Sequence, residues 1–554
     1  MGAAAARDMA QLTGRIWISL ALCTFVLRGA PDSEFVGSKA CFGCHANIYT
    51  SFLKTGMGRS MRLADDLAAG ALPGDATVEA GKRTLRAYRS DSAWHQSESE
   101  PNVFTEAHKL EYVVGSGMNG LSFIVRRGDY LFQAPLSFYS KPGKWDLSPG
   151  YQLGDLGFSR AIPQQCALCH SGRPQGIQGR NGKYLDPPFR ELAIGCENCH
   201  GPGAAHIRNP KRGASIVNPA KLPARLAEQI CMNCHQGGDA RVLQPGKTYD
   251  EFRPGQWLSD TVAIFKIPAA MRGNRETDLL EHNSAMRSSR CFRASQGKLS
   301  CLTCHDPHVQ PEAAAAPAYF RSKCLTCHTS QSCRSPMAAR RATTPADNCI
   351  GCHMPKRNVT TISHSALTNH RIPARPDDAS PPADVPDEKT DLVLVDAPPG
   401  RKAAIPDITL LKAYAEVAPS NPMYQQRYLS LLQSLASAKP DEPYLQAALG
   451  HKALAEGRYE DAVGHLTAGL KLGEATVYQD LAQALTKLGR SEEALTYLQS
   501  AVELEPFNAV ILKTLVLDYI TLHRYEQAKQ QMQRYVELFP EDSFMRDLLA
   551  RVSR

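Results

Sequence analysis

Seven times along this 554-residue chain two cysteines stand three positions apart with histidine directly after the second: 41 to 45, 166 to 170, 196 to 200, 231 to 235, 301 to 305, 324 to 328 and 349 to 353. Cys-x-x-Cys-His is the attachment signature of c-type haem. The thiols add across the porphyrin vinyl groups, and the adjacent imidazole lies just under the ring, where it takes one axial position on iron. The expected cofactor is therefore haem c, seven covalent groups with their iron. Cys41, Cys44, Cys166, Cys169, Cys196, Cys199, Cys231, Cys234, Cys301, Cys304, Cys324, Cys327, Cys349 and Cys352 supply the thioethers. His45, His170, His200, His235, His305, His328 and His353 supply the proximal ligands. Zinc ribbons also repeat Cys-x-x-Cys, but four ligands closing a tetrahedron give no reason for histidine after every pair. A thioredoxin-like redox pair fits no better.

A segment this dense in cofactor needs no large apolar core, because the porphyrin faces are the apolar surface that side chains pack against. Residues 36–373 accordingly read as one loop-rich heptahaem domain of short helices, with glycine and proline clusters such as GPGAAH and KYLDPPF between them. Inside it, residues 77–140 alternate apolar and polar positions in TLRAYRS, KLEYVVGS and LSFIVRRGDYLFQAPLSFYS, which predicts a β-rich insert. Arg127-Gly128-Asp129 between two such runs reads as a hairpin turn rather than a receptor-binding tripeptide.

Residues 374–403 are rich in proline and aspartate and read as an extended linker. Beyond them the chain has no cysteine and helical periodicity takes over. Gly457, Tyr459 and Ala462 recur as Gly489 and Ala494 and again as Tyr525 and Ala528. Ala494 to Ala528 and Pro506 to Pro540 each span one 34-residue period, so residues 406–554 resemble a tetratricopeptide repeat domain, with three readable units and a degenerate one over 406–440. The fold class expected is α+β: a loop-rich multihaem domain with a small β-rich insert, followed by an all-α solenoid.

Haem c is attached outside the cytoplasm, so an export signal is expected. Arg7 and Arg15, the apolar run Ile16 to Leu27 and then Arg28-Gly29-Ala30-Pro31 make residues 1–30 a signal peptide and the protein periplasmic or otherwise extracytoplasmic. The run is short for a membrane span, so membrane association is expected only if this segment stays uncleaved. Leu22 is too large for a lipoprotein site, and Cys23 reads as part of the signal. Cys291 and Cys333 remain, and in such a compartment they are candidates for a disulfide. The formal charge of +8 is offset by haem, which brings roughly one negative charge per ferric group. No nucleic-acid partner is inferred.

Of 17 histidines, seven lie in motifs and three, His451, His465 and His523, in the repeats. Seven remain for seven distal positions: His95, His108, His206, His282, His308, His364 and His370. His308, three residues after its motif in CLTCHDPH, cannot easily reach that motif's own iron, because the chain would have to pass around the ring. It is placed to ligate a neighbouring haem. His206 closely follows the third motif, His282 precedes the fifth on a helix, and His364 and His370 follow the last. His95 and His108 lie in the strand region. Met57 in KTGMGRSM competes as a thioether ligand that raises potential. If it ligates, a histidine is spare, with His95 or His108 first in line. Met354 reads as packing.

The runs AIGCENCHGPGAAH, SAMRSSRCFRASQGKLSCLTCHDPH and CIGCHMPK followed by HSALTNHRI resemble multihaem cytochromes c of the cytochrome c-552/4 superfamily. That group is similar to the tetrahaem electron carrier of hydroxylamine oxidation and, more distantly, to pentahaem nitrite reductase, hydroxylamine oxidoreductase and octahaem tetrathionate reductase. The resemblance spans roughly residues 37–373 and implies His206, His282 and His308 as distal ligands. In related sequences a histidine often stands near the place of Met57. No Cys-x-x-Cys-Lys occurs here, so the catalytic haem of the nitrite reductases is not carried over, and no catalytic residue is assigned. The expected function is electron transfer to redox partner proteins, the repeats making protein–protein contacts through a solenoid surface. A reductase or oxidase of a small nitrogen or sulfur compound, with one open iron, is the alternative.

Overall fold

Positions i, i+3 and i+4 of a helical turn share a face, so a Cys-x-x-Cys-His run wound as one turn presents both sulfurs and the imidazole to the same side. The computed structural model describes residues 34–553 except 69, 154–156, 212–214, 269–280, 360–364, 376–390, 396–404 and 439–440. The first motif begins in a 3-10 turn (Ser38–Cys41) that runs into α1 (Phe42–Phe52), and the second ends α2 (Gln164–His170). The third is α3 (Cys196–His200), followed by α4 (Ala204–Arg208), and the fourth ends α5 (Ala224–His235). After α6 (His282–Arg287) and α7 (Arg290–Ala294) come α8 (Cys301–Cys304) with the fifth motif, α9 (Ala316–Cys324) leading into the sixth, α10 (Met337–Arg341), and α11 (Cys349–His353) with the seventh. Among the described residues no helix is long and apolar enough to cross a membrane.

The alternating stretch forms two antiparallel sheets. One, in the order β2-β3-β4-β5, uses β2 (Ala76–Ala80), β3 (Arg83–Ser90), β4 (Ala93–Glu100) and β5 (Phe104–Lys109). The other, β1-β6-β7-β9-β10 with β8 also on β7, uses β1 (Met61–Leu63), β6 (Tyr112–Val114), β7 (Gly120–Arg127), β8 (Tyr130–Gln133), β9 (Leu136–Tyr139) and β10 (Lys144–Leu147). Leu85 and Trp94 from the first share a core with Phe123, Val125, Phe132 and Trp145 from the second. The strands thus extend past 77–140 at both ends, because β1 and β10 are too short to show alternation. Gly128 takes a positive φ of 61° in the β7–β8 turn. Arg127 pairs with Glu106 at 3.7 Å and lies over Phe132, so this arginine belongs to the sheet packing.

Two hairpins, β11 (Pro174–Gly176) with β12 (Tyr184–Phe189) and β15 (Lys356–Val359) with β16 (Ser365–Thr368), flank the motif helices. A third sheet reaches into the stretch read as linker. Leu392 is buried and Val393–Leu394, inside the stretch read as extended, forms β17 on β14 (Val262–Lys266), which in turn pairs with β13 (Ala240–Leu243). Two residues are too few to show a period, and their partner lies more than a hundred residues away.

The solenoid begins on that sheet. Ala413, Tyr414 and Val417 of α12 (Asp407–Val417) and Tyr424 of α13 (Pro422–Ala438) pack on Val242, Ala263 and Phe265. Three helix pairs follow: α14 (Pro443–Ala455) with α15 (Tyr459–Gly469), α16 (Ala475–Lys487) with α17 (Ser491–Leu504), and α18 (Ala509–Thr521) with α19 (Tyr525–Leu538), then α20 (Ser543–Val552). The recurring Ala462, Ala494 and Ala528 are buried where paired helices meet. Its later units return to the insert: Phe507 sits 4.9 Å from the Tyr130 ring and 5.0 Å from Phe132, and Arg180 donates to the Glu503 carbonyl at 2.8 Å.

Candidate functional site

Four motif imidazoles face a second imidazole from elsewhere in the chain. His45 and His206 have ring centres 6.4 Å apart and planes 19° from parallel, and His200 and His308 stand at 6.0 Å and 18°. His235 faces His282 at 5.4 Å and 16°, and His305 faces His370 at 6.3 Å and 36°. Metal–nitrogen bonds of about 2.0–2.1 Å on opposite sides of one ion put two imidazole centres roughly 6 Å apart. Direct stacking is closer, as between His282 and His370 at 4.4 Å.

Three of these four partners, His282, His308 and His206, lie on segments held by named contacts. Glu228 on α5 is buried and accepts from Asn283 Nδ2 at 3.1 Å and Arg287 Nη2 at 2.8 Å, while Gln236 Oε1 accepts from Ser284 N at 3.1 Å. This fixes α6, and so His282, against the helix that carries His235. Lys266 pairs with Glu281 at the residue before His282. The His308 carbonyl accepts from Ser51 Oγ at 2.8 Å, and Asp306 Oδ1 accepts from His308 N at 2.9 Å and meets Nδ1 at 3.2 Å. His206 follows Gly203, whose N–H donates to the buried Glu197 at 2.7 Å. The same carboxylate accepts from Val36 N and Gly37 N at 3.0 and 2.8 Å, tying the segment before the first motif to the third.

The ring nitrogens are prepared for ligation. Nδ1 of His200 lies 2.8 Å from the Val217 carbonyl, that of His353 2.9 Å from Pro373, and that of His370 3.0 Å from Thr368. A carbonyl only accepts, so Nδ1 carries the proton and Nε2 keeps the lone pair a metal needs. Burial pushes His170, His200, His235, His305 and His370 below the usual imidazole range. It takes His282 to about 3, with His370, His235 and His305 adding to the effect. Neutral rings are the ligating form. His206 Nδ1 is buried without a hydrogen-bond partner among the described residues.

The motifs also meet through their sulfurs. Cys41 lies beside Cys196, Cys169 beside Cys234, and Cys301 beside Cys231. Ser38 Oγ, at the start of the first motif's turn, accepts from Cys196 N at 2.8 Å. Helix α8 packs on α9, and α9 on α11. First and third, second and fourth, fourth and fifth, fifth and sixth, and sixth and seventh motifs are therefore spatial neighbours.

His170, His328 and His353 face no second imidazole among the described residues. Of the remaining candidates, His364 lies outside the described residues, as do Cys23 and the residue 1–30 signal. His95 stacks on Tyr88 at 5.7 Å with Nδ1 3.3 Å from the Ala93 carbonyl. His108 Nε2 meets Glu106 Oε1 at 2.6 Å and its ring lies 4.6 Å from Phe158. Both belong to the insert's own packing. Met57 is half-buried in the turn after α1, one residue from Gly56, whose N–H donates to Gln310 Oε1 at 2.6 Å. The count of seven for seven does not close in the described structure. Cys291 and Cys333 are both free, the first beside Cys327 and the second toward Cys349, so the disulfide expectation is corrected.

The donor set suits haem c. Each cysteine pair is followed directly by its imidazole, four motif rings face a second ring about one metal away, and among the described residues no group of three His, Cys, Asp or Glu converges as a zinc site needs. Sequence reasoning missed Glu197, Glu228 and the carbonyls of Val217, Pro373 and Thr368. Backbone acceptors carry no sequence signature, and the two glutamates act across folds of the chain.

A tetratricopeptide repeat model matches residues 475–508. Sperm-associated antigen 1 of Rattus norvegicus is 32% identical over 106 residues, covering 19% of this chain and 12% of that protein. The C-type polyheme cytochrome OmcB of Geobacter sulfurreducens is 23% identical over 252 residues, covering 42% of this chain and 29% of that protein. The chain thus spans under a third of the length of either relative. Among solved structures, MamA 41-end from Desulfovibrio magneticus RS-1 aligns with 25% of this chain and 77% of that one at 18% identity and a TM-score of 0.22. The first repeat domain of Spaghetti (RPAP3) bound to an HSP90 peptide aligns with 20% and 90% at 21% identity and a TM-score of 0.19.

Proposed function

We propose that this chain is an extracytoplasmic electron-transfer protein carrying seven covalent haem c groups, most of them between two histidines, with its repeat domain docking a redox partner or ordering the protein in an assembly. The observation that carries this reading is the set of four facing imidazole pairs, each joining a motif histidine to one from another part of the chain. Haem, when bound, supplies reversible one-electron storage. The cysteine pairs would hold the rings. His45 with His206, His200 with His308, His235 with His282 and His305 with His370 would take both axial positions and close those irons to added ligands. His308 would tie the fifth motif to the third, and His370 the segment after the seventh to the fifth, so the spacing between sites is set by the chain itself. The similarity to a polyheme cytochrome and the repeat match support the two halves of the proposal.

One observation favours the catalytic alternative in part of the molecule. With His95 and His108 engaged in the insert, only His364 and Met57 remain from the candidate set for His170, His328 and His353. At least one iron would then lack an axial partner from that set. Spectra of the purified, reduced holoprotein with and without carbon monoxide distinguish the readings. An electron carrier with all irons closed stays low-spin and unchanged, whereas a high-spin fraction that binds carbon monoxide supports a reductase or oxidase.

A further inference from the structure

The fold places one guanidinium where two motifs meet. Arg241 on β13 donates from Nη2 to the Asn233 carbonyl at 2.7 Å and to Asn233 Oδ1 at 3.1 Å, and from Nη1 to the Gln236 carbonyl at 3.3 Å. Asn233 lies between the two cysteines of the fourth motif, and its carbonyl also accepts from Cys169 Sγ of the second motif at 3.7 Å. Guanidinium and sulfur thus share one acceptor, two hydrogen-bond lengths apart, and Cys169 lies beside Cys234. As thioethers, these two sulfurs would mark the adjoining edges of two rings. The strand holding Arg241 is fixed from the far side: its backbone N–H donates to Glu416 Oε2 of α12 at 2.9 Å.

We propose that Arg241 sets the reduction potentials of the haems on the second and fourth motifs, an inference that rests on the haem-binding reading above. Reduction adds one negative charge to each ring and iron, and a fixed positive charge nearby, partly shielded from water, stabilises that state. Arginine keeps its charge at any working pH, and its planar fork is held by three acceptors. A purely structural role is the competing account, since Arg241 also satisfies carbonyls at the C-terminal end of α5. Charge and capping are separable, because Arg241→Lys keeps the first and loses the fork, whereas Arg241→Gln loses the charge.

The test is a spectroelectrochemical titration of the full-length holoprotein and both variants, after intact mass has counted the attached haems. Fewer than seven haems on the native chain counts against the underlying reading and leaves the comparison of variants to stand on the haems present. With seven attached, Arg241→Gln is expected to move two of the seven midpoints to lower potential and leave five in place, while Arg241→Lys keeps all seven near their native values. Superimposable titrations for native protein and Arg241→Gln overturn the proposal. So does an Arg241→Lys displacement as large as that of Arg241→Gln, which would assign the effect to capping. If Arg241→Gln does not assemble, Arg241→Lys decides alone: unchanged midpoints support the charge role and two lowered midpoints overturn it.

Discussion

At the residue scale, the chemistry that was legible is the chemistry that is local. Two sulfurs and an imidazole at i, i+3 and i+4 form a pattern visible whatever surrounds it, so the seven motifs stand out in the sequence, and haem on them is the proposed reading. Which histidine stands opposite which motif depends on what folds beside it, and CLTCHDPH carries no mark that His308 will face His200 rather than another ring. His308→Ala is expected to open one iron on the proposed reading, adding one high-spin haem to the native spectrum and leaving the rest of it unchanged; electron paramagnetic resonance of the oxidised protein reads this out. His308→Met is expected instead to keep that haem low-spin and raise its potential, as thioether ligation does. Unaltered spectra in both variants would remove His308 from the ligand set. Gly195 answers to a different constraint. A Cβ there would lie 2.3 Å from Glu191 Oε2 and 2.4 Å from Ser38 Oγ, inside the contact that joins the first motif to the third. Gly195→Ala is expected to cost about 1–3 kcal/mol through overpacking, measured by denaturant unfolding.

At the element scale, period and alternation located the repeats and the sheets because both patterns extend over many residues. They failed where elements are short: β1 and β10 at the edges of the insert, and β17 inside a proline-rich stretch. The repeat turns illustrate how a local rule survives substitution. Gly457 and Gly489 take φ of 75° between paired helices, and in the next unit His523 takes 57° at the corresponding turn. Nothing crowds a Cβ at Gly489, so Gly489→Ala isolates the backbone cost. It is expected to destabilise the repeat domain by about 1–2 kcal/mol without disturbing haem spectra, as thermal unfolding followed by far-ultraviolet circular dichroism would detect.

At the scale of the whole molecule, the repeat domain is a bracket on the haem-motif half rather than a tail on a tether. The docking residues explain why this was hidden: Phe507 in EPFNAV looks like any repeat-loop residue, and nothing in the sequence pairs it with Tyr130. The bracket carries a pH signature. Burial pushes Glu541, after α19, and Glu98, on β4, above the usual carboxylate range, with Arg83 drawing both back. A raised folded-state value means that the folded protein holds the extra proton. That stabilising contribution is complete below the unfolded value of about 4.3 and is lost as pH rises through the folded one. Glu541→Gln is therefore expected to raise the melting temperature at neutral pH and to flatten its decline from acid to neutral. Parallel pH profiles for native and variant protein would show that Glu541 does not contribute.

On the proposed reading the seven cysteine pairs bind seven haems. Intact mass spectrometry of the purified chain under denaturing conditions counts them directly, because thioether bonds survive unfolding. The expected result is a single species heavier than the polypeptide by seven haems. A chain that unfolds to the bare polypeptide mass after releasing zinc, or one whose cysteines are joined in disulfides, would contradict it.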